Sequence, residues 1–235
     1  MGRQKRLMLL GGIRYLLPVI KAAHNQGYYV ITADYLPDNI AHKYSDEYVN
    51  VSIIDKEAVL KVAREKQIDG IMSFGVDPGV IAASYVQNQM GLPSFGPYES
   101  VVILQNKDKF RAFLAENGFN VPWAFGFDSV EGALINKTKF TYPLIVKPTD
   151  SAGSKGCTRV DDECNLQSAL EYAMKYSIGG SVIVEEFIET AQPVGSKTLI
   201  DKFNLPFLSY PVAIANTSSP TDTTSSVLLT LFKSN

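Results

Sequence analysis

The chain has few of the residues that usually settle a protein's class at once. Its 235 residues contain two cysteines, Cys157 and Cys164, and two histidines. Six residues lie between the cysteines and no histidine is near them. That spacing fits neither a zinc site nor a disulfide framework, and it reads as two reduced thiols in a cytosolic protein. No apolar run is long enough to cross a bilayer. Met1 to Arg6 is basic like the start of a signal peptide, but Gly11, Gly12 and Arg14 break the apolar stretch after it, which argues against one. Lys and Arg number 22 against 24 Asp and Glu, so no general electrostatic case for nucleic acid exists. Two phosphate-binding spacings are missing as well. There is no Gly-x-x-x-x-Gly-Lys-Ser/Thr loop, and Gly11-Gly12-Ile13-Arg14-Tyr15-Leu16 lacks the third glycine of Gly-x-Gly-x-x-Gly.

What is present falls into three zones. Residues 1–105 alternate short apolar strands with helical periodicity. Leu7–Leu10, Tyr28–Ala33 and Gly70–Phe74 read as strands. Tyr15–Asn25, Lys56–Lys66 after Asp55, and Val80–Met90 read as helices. This alternation predicts right-handed βαβ units and a three-layer parallel sheet. Asp34 ends the second strand, where a ribose-binding acid of a dinucleotide fold would sit. The alternative is that Gly11-Gly12 merely turns the chain and Asp34 caps or is solvated.

Residues 106–190 read as a smaller α+β lobe. Phe110–Asn117 is predicted as a helix opened by Asn106 to Lys109, with Phe110, Phe113 and Leu114 as its buried face and Gly118 beyond its end. Val121-Pro122 starts an extended segment, and Ser129–Ile135 reads as a short helix. Tyr142 to Gly156 is the most informative stretch. An apolar strand, Leu144–Val146, delivers Lys147 to its end. The loop after it holds Ser151, Ala152, Gly153, Ser154, Lys155 and Gly156, small residues that let backbone N–H groups approach a polyanion, plus a second cation. Its plain alternative is a hairpin turn, closed by a returning strand at Thr158–Val160. Asp161 to Glu163 read as a solvated turn. A helix over Asn165–Tyr176 and a strand over Ser181–Val184 follow, the strand running into Glu185-Glu186-Phe187-Ile188-Glu189.

Residues 191–235 contain no glutamate, arginine or histidine, and only two acids, Asp201 and Asp222. Leu205–Ile214 has room for a strand or two. The Ser/Thr-rich run 217–226 predicts flexibility.

Taken in order, these pieces resemble the ATP-grasp superfamily, nearest the biotin carboxylase and carbamoyl-phosphate synthase large-subunit branch. Four features carry the resemblance: a Rossmann-like region ending near Gly96-Pro97; Asn106 to Phe110 with Asn117 to Pro122; Tyr142 to Pro148 with the loop to Gly156; and Val182 to Ile188. The resemblance implies a Rossmann-like pre-ATP-grasp domain over 1–105, a nucleotide-clamping subdomain over 106–190, and an incomplete remnant of the C-terminal subdomain over 191–235. It implies ATP as cofactor, with Lys109 and Lys147 toward the phosphates and Lys107 the alternative to Lys109. The loop Ser151 to Gly156 would fold over the phosphates. Glu185, Glu186, Phe187 and Ile188 would line adenine, with Glu185 accepting from its amine and Glu189 toward the ribose.

The reaction implied is a carboxylate–amine ligation through an acyl phosphate. Magnesium is expected for the family, but no ligand for it and no catalytic residue is identifiable in this chain. The resemblance therefore implies a chain inactive alone or dependent on a second half, in a cytoplasmic protein. Its partners would be small-molecule carboxylate and amine substrates, with no nucleic acid and no membrane, and either a homo-oligomer or a complementing second-half chain. A non-catalytic nucleotide-binding module and a Rossmann NAD or nucleotide-sugar protein are the competing readings.

Overall fold

Strand β1 (Arg6–Leu10) ends in Met8, Leu9 and Leu10, all fully buried. Successive strand residues point to opposite faces, so such a strand must be covered on both sides. The computed structural model, which describes residues 2–188, supplies both covers. β1 lies between β2 (Tyr29–Asp34) and β4 (Gly70–Ser73), with β3 (Glu47–Asn50) outside β2. All neighbours in this sheet are parallel. Met8, Leu10, Ile31 and Ala33 pack with residues of α2 (Lys56–Glu65) and α3 (Val80–Met90). Leu9 and Val30 pack on the opposite side with Val19, Ile20 and Ala23 of α1 (Leu17–Asn25). The three-layer parallel sheet follows.

Two elements of this region escape a pattern reading. β3 has no buried residue, and α4 (Tyr98–Gln105) buries only Val101. Helix α4 is held instead by polar contacts. Lys56 of α2 donates to the Tyr98 hydroxyl at 3.1 Å and lies 4.5 Å from the Tyr85 ring centre on α3.

The second sheet is antiparallel, in the order β5 (Ala124–Phe127), β8 (Val182–Glu186), β6 (Leu144–Pro148), β7 (Thr158–Val160). Leu144, Val146, Val160, Val182 and Val184 share one core with residues of α6 (Val130–Ile135) and α7 (Leu166–Tyr176). Ser129 caps α6 by accepting from the Gly132 amide at 3.0 Å, the device its position predicts.

Helix α5 (Lys107–Glu116) begins three residues before the expected start and corrects the expectation for its face. No residue of α5 is buried, and Phe113 is 43% exposed. The helix turns charged side chains toward the second sheet instead. Expectations for 191–235 lie outside the described residues.

Candidate functional site

One face of the antiparallel sheet is filled by α6 and α7. The residues between the buried ones therefore point to the other face. Register sets Ile145 opposite Glu185 and Lys147 opposite Ile183, so the site face carries Lys147 and Glu185 side by side. Part of this face is covered by α5. Gly126 of β5 permits that approach, because a Cβ there would lie 3.0 Å from Asp108 Cβ. The approach brings Arg111 to the sheet, where its Nε donates to Glu185 Oε2 at 3.2 Å. The other Glu185 oxygen accepts from the Lys147 ammonium. Glu185 is 4% exposed. A carboxylate so desolvated is tolerated because two cations meet it.

Lys107, at the first position of α5, completes the cluster. Its backbone N–H donates to Thr149 O at 3.0 Å, and its Nζ donates to Thr149 O at 3.3 Å and Ser151 O at 2.8 Å. Burial pushes the Lys107 pKa down, and the charge of Lys147 pushes it further; Asp150, Cys157 and Glu185 oppose both. Two like charges thus act on one another near the root of the glycine loop. An anion placed between them would relieve the repulsion.

The loop is anchored at its root and open at its tip. Asp150 accepts from Ser177 Oγ at 2.9 Å, Ile178 N at 3.0 Å and Gly179 N at 2.5 Å. Thr149, fully buried, shares a 2.6 Å hydroxyl contact with Ser181. From there Ala152 to Lys155 are exposed. Gly156 returns the chain with φ +72°, and a Cβ there would sit 2.8 Å from Pro148 Cγ. Cys157 follows on the site side. Burial raises its thiol pKa, against the opposing charges of Lys147 and Lys107.

The structure therefore brings together Lys147, Glu185 and the root of the Ser151–Gly156 loop, and sets Lys107, the alternative to Lys109, against that root. Lys109 is exposed. It lies two residues past Lys107, about 200° around the helix axis, so both cannot face the loop. Glu185, expected to accept from the adenine amine, already meets a cation at each oxygen. Glu186 is exposed and alternates to the helix-covered side. Phe187 is half-buried, with the Arg159 guanidinium 4.3 Å from its ring centre. Ile188 is exposed. Glu189 lies outside the described residues.

The parallel sheet offers a dinucleotide little. Asp34 accepts from Leu36 N at 3.2 Å and Asn39 Nδ2 at 3.0 Å, so both carboxylate oxygens cap its own loop. A Cβ on Gly12 would lie 2.5 Å from Asn39 and the His42 ring, so the chain itself fills the space beside Gly12. Among the described residues no group of three or more His, Cys, Asp or Glu could hold a metal. The cations at the loop root, Lys107 and Lys147, suit phosphates and cannot ligate magnesium.

Residues 128–196 match the family described as D-ala D-ala ligase C-terminus. The chain is 24% identical over 217 residues to the carbamoyl phosphate synthase large chain of Pseudothermotoga lettingae, a match covering 86% of this chain and 20% of that one. The crystal structure of L-amino acid ligase from Bacillus licheniformis superposes with a TM-score of 0.61 at 25% identity, over 80% of this chain and 45% of that one. N5-carboxyaminoimidazole synthetase from Staphylococcus aureus, crystallised in complex with ADP, has the same fold at a TM-score of 0.60 and 15% identity, over 80% and 48% of the two chains. In each case the chain spans less than half the length of the protein it matches. It belongs to the ATP-grasp superfamily.

Proposed function

We propose that the chain binds ATP on the open face of the antiparallel sheet, as the nucleotide-clamping part of a carboxylate–amine ligase working through an acyl phosphate. One observation carries this reading: Lys107 and Lys147, brought from a helix and a strand, converge at the root of a loop whose tip is open to solvent. In this reading residues 1–105 form the pre-ATP-grasp domain and residues 106–190 the clamp.

The roles follow from charge and position. Lys107 and Lys147 neutralise phosphate oxygens, and the backbone of Ser151 to Gly156 closes over them. The strand end at Glu185 to Ile188 offers backbone groups to the base, and Phe187 gives it an apolar wall. Magnesium, when bound with ATP, would supply further neutralisation of phosphate charge. Residues 2–188 supply no carboxylate cluster for it, so this reading needs acidic ligands from outside them. The carboxylate and amine acceptors fall under the same requirement.

Titration of the purified chain with a fluorescent ADP analogue tests the reading. Saturable binding that unlabelled ATP displaces and NAD does not supports it. Absence of displaceable binding, with the chain folded, ends it. A binding module without catalysis would pass this test and then show no acceptor-dependent ADP release.

A further inference from the structure

Arg111 belongs to none of the motifs that point to nucleotide binding, yet it is built into the site. It stands one helical turn after Lys107 on α5, and residues four apart share a helix face. Its Nε meets Glu185 Oε2 at 3.2 Å, and Glu185 Oε1 meets Lys147. The side chains are largely withdrawn from water: 6% exposed at Glu185, 17% at Lys147 and 27% at Arg111.

We infer that Arg111 is a positioning residue that holds Lys147 in place through Glu185. Lysine is a compact charge on a flexible four-carbon stem, so its location depends on what anchors it. A carboxylate gripped through one oxygen turns about its terminal torsion, which is broad. Arg111 takes the second oxygen and fixes the plane. The same helix then sets both cations of the loop, Lys107 directly and Lys147 through Glu185. This inference rests on the nucleotide reading for its purpose, but the linkage among the three side chains stands apart from it.

The test uses the full 235-residue chain and two readouts. The first is the unfolding free energy in urea, without nucleotide, for R111M and K147M, singly and together, with Glu185 present and in the E185Q background. The expected result is that the two losses fail to add when Glu185 is present and add in the E185Q background. The second is affinity for the fluorescent ADP analogue. R111M should weaken it by about tenfold, as loss of a charge-assisted hydrogen bond allows. R111K should restore most of the loss, and R111M should cost nothing further in the E185Q background. Additive unfolding losses in both backgrounds would overturn the linkage, and unchanged affinity in R111M would overturn its positioning role. Should the wild-type chain take up no ADP, the nucleotide reading fails, and the unfolding cycle alone still decides whether Arg111 holds Lys147.

Discussion

Lys107 and Ser151 are 44 residues apart in the chain, and the Lys107 ammonium donates to the Ser151 carbonyl at 2.8 Å. This contact ties the start of α5 to the root of the glycine loop. The helix therefore cannot shift without moving the loop, and the loop cannot open fully without releasing a half-buried charge. Two lysines two positions apart are thus unequal: Lys107 reaches the loop and Lys109 faces solvent.

The first prediction separates these two lysines. Lys107→Ala should weaken binding of the ADP analogue by about 1.5–3 kcal/mol, the range for hydrogen bonds to a charged group. Lys109→Ala should leave affinity within about twofold, the usual fate of a solvated surface lysine. Calorimetric titration of both variants checks the order. A larger loss in Lys109→Ala would instead support the motif-spacing assignment.

The difference between those lysines shows what the sequence could and could not disclose. Apolar periodicity located β1, β2, β4, α2, α3, β6 and α7 because each buries a repeating pattern, such as Leu144 and Val146 on one face of β6. It missed α4, whose hold on the fold comes from Lys56, Tyr85 and Tyr98, residues with no period to read. It also misjudged α5. Phe110, Phe113 and Leu114 suggested a buried face, whereas the side that serves the site carries Lys107 and Arg111. The i, i+4 spacing of those two cations was visible. Their acceptors were not, because Ser151 and Glu185 come close only once the sheet forms. The strand that carries Lys147 and the open loop after it were legible locally, since an apolar run followed by small residues marks a strand and then a turn.

The second prediction concerns the return of the loop. Gly156 combines φ +72° with close neighbours, Pro148 Cγ at 2.8 Å and Tyr176 Cβ at 3.0 Å from a Cβ placed there. Gly153 has φ +67° with nothing within 4 Å of such a Cβ. Gly156→Ala should therefore cost more than Gly153→Ala. About 1 kcal/mol is expected at Gly153 for the left-handed backbone alone, and about 2–4 kcal/mol at Gly156, where overpacking adds to it. Urea unfolding of both variants measures the difference.

The third prediction tests the anchor of the loop. Asp150 accepts from Ser177 Oγ and from the amides of Ile178 and Gly179. Asp150→Ala removes the acceptor for all three, which should cost about 2–3 kcal/mol. Amide hydrogen exchange should quicken at Ile178 and Gly179 while staying unchanged at Val30 in the parallel sheet. Unchanged exchange at 178 and 179 would show that the loop root is held by other contacts.

The last prediction is a pH dependence in the first sheet, far in sequence from the site. Asp46 accepts from Val30 N at 2.7 Å and faces His24 Nε2 at 2.9 Å. Burial alone would raise its pKa, but the Val30 hydrogen bond, the His24 hydrogen bond and the His24 charge together lower it below 3.8. An acid whose folded pKa is depressed holds fewer protons than its unfolded form in the acidic range. Its contribution is then present above the unfolded pKa and lost as pH falls through the folded one. Stability of the wild-type chain should thus decline relative to Asp46→Asn as pH drops from about 5 toward 3, since asparagine keeps an acceptor for Val30 and does not titrate. Paired urea titrations across that range measure it. Parallel curves for the two proteins would show that Asp46 titrates alike folded and unfolded, and that its two contacts do not hold the charged form.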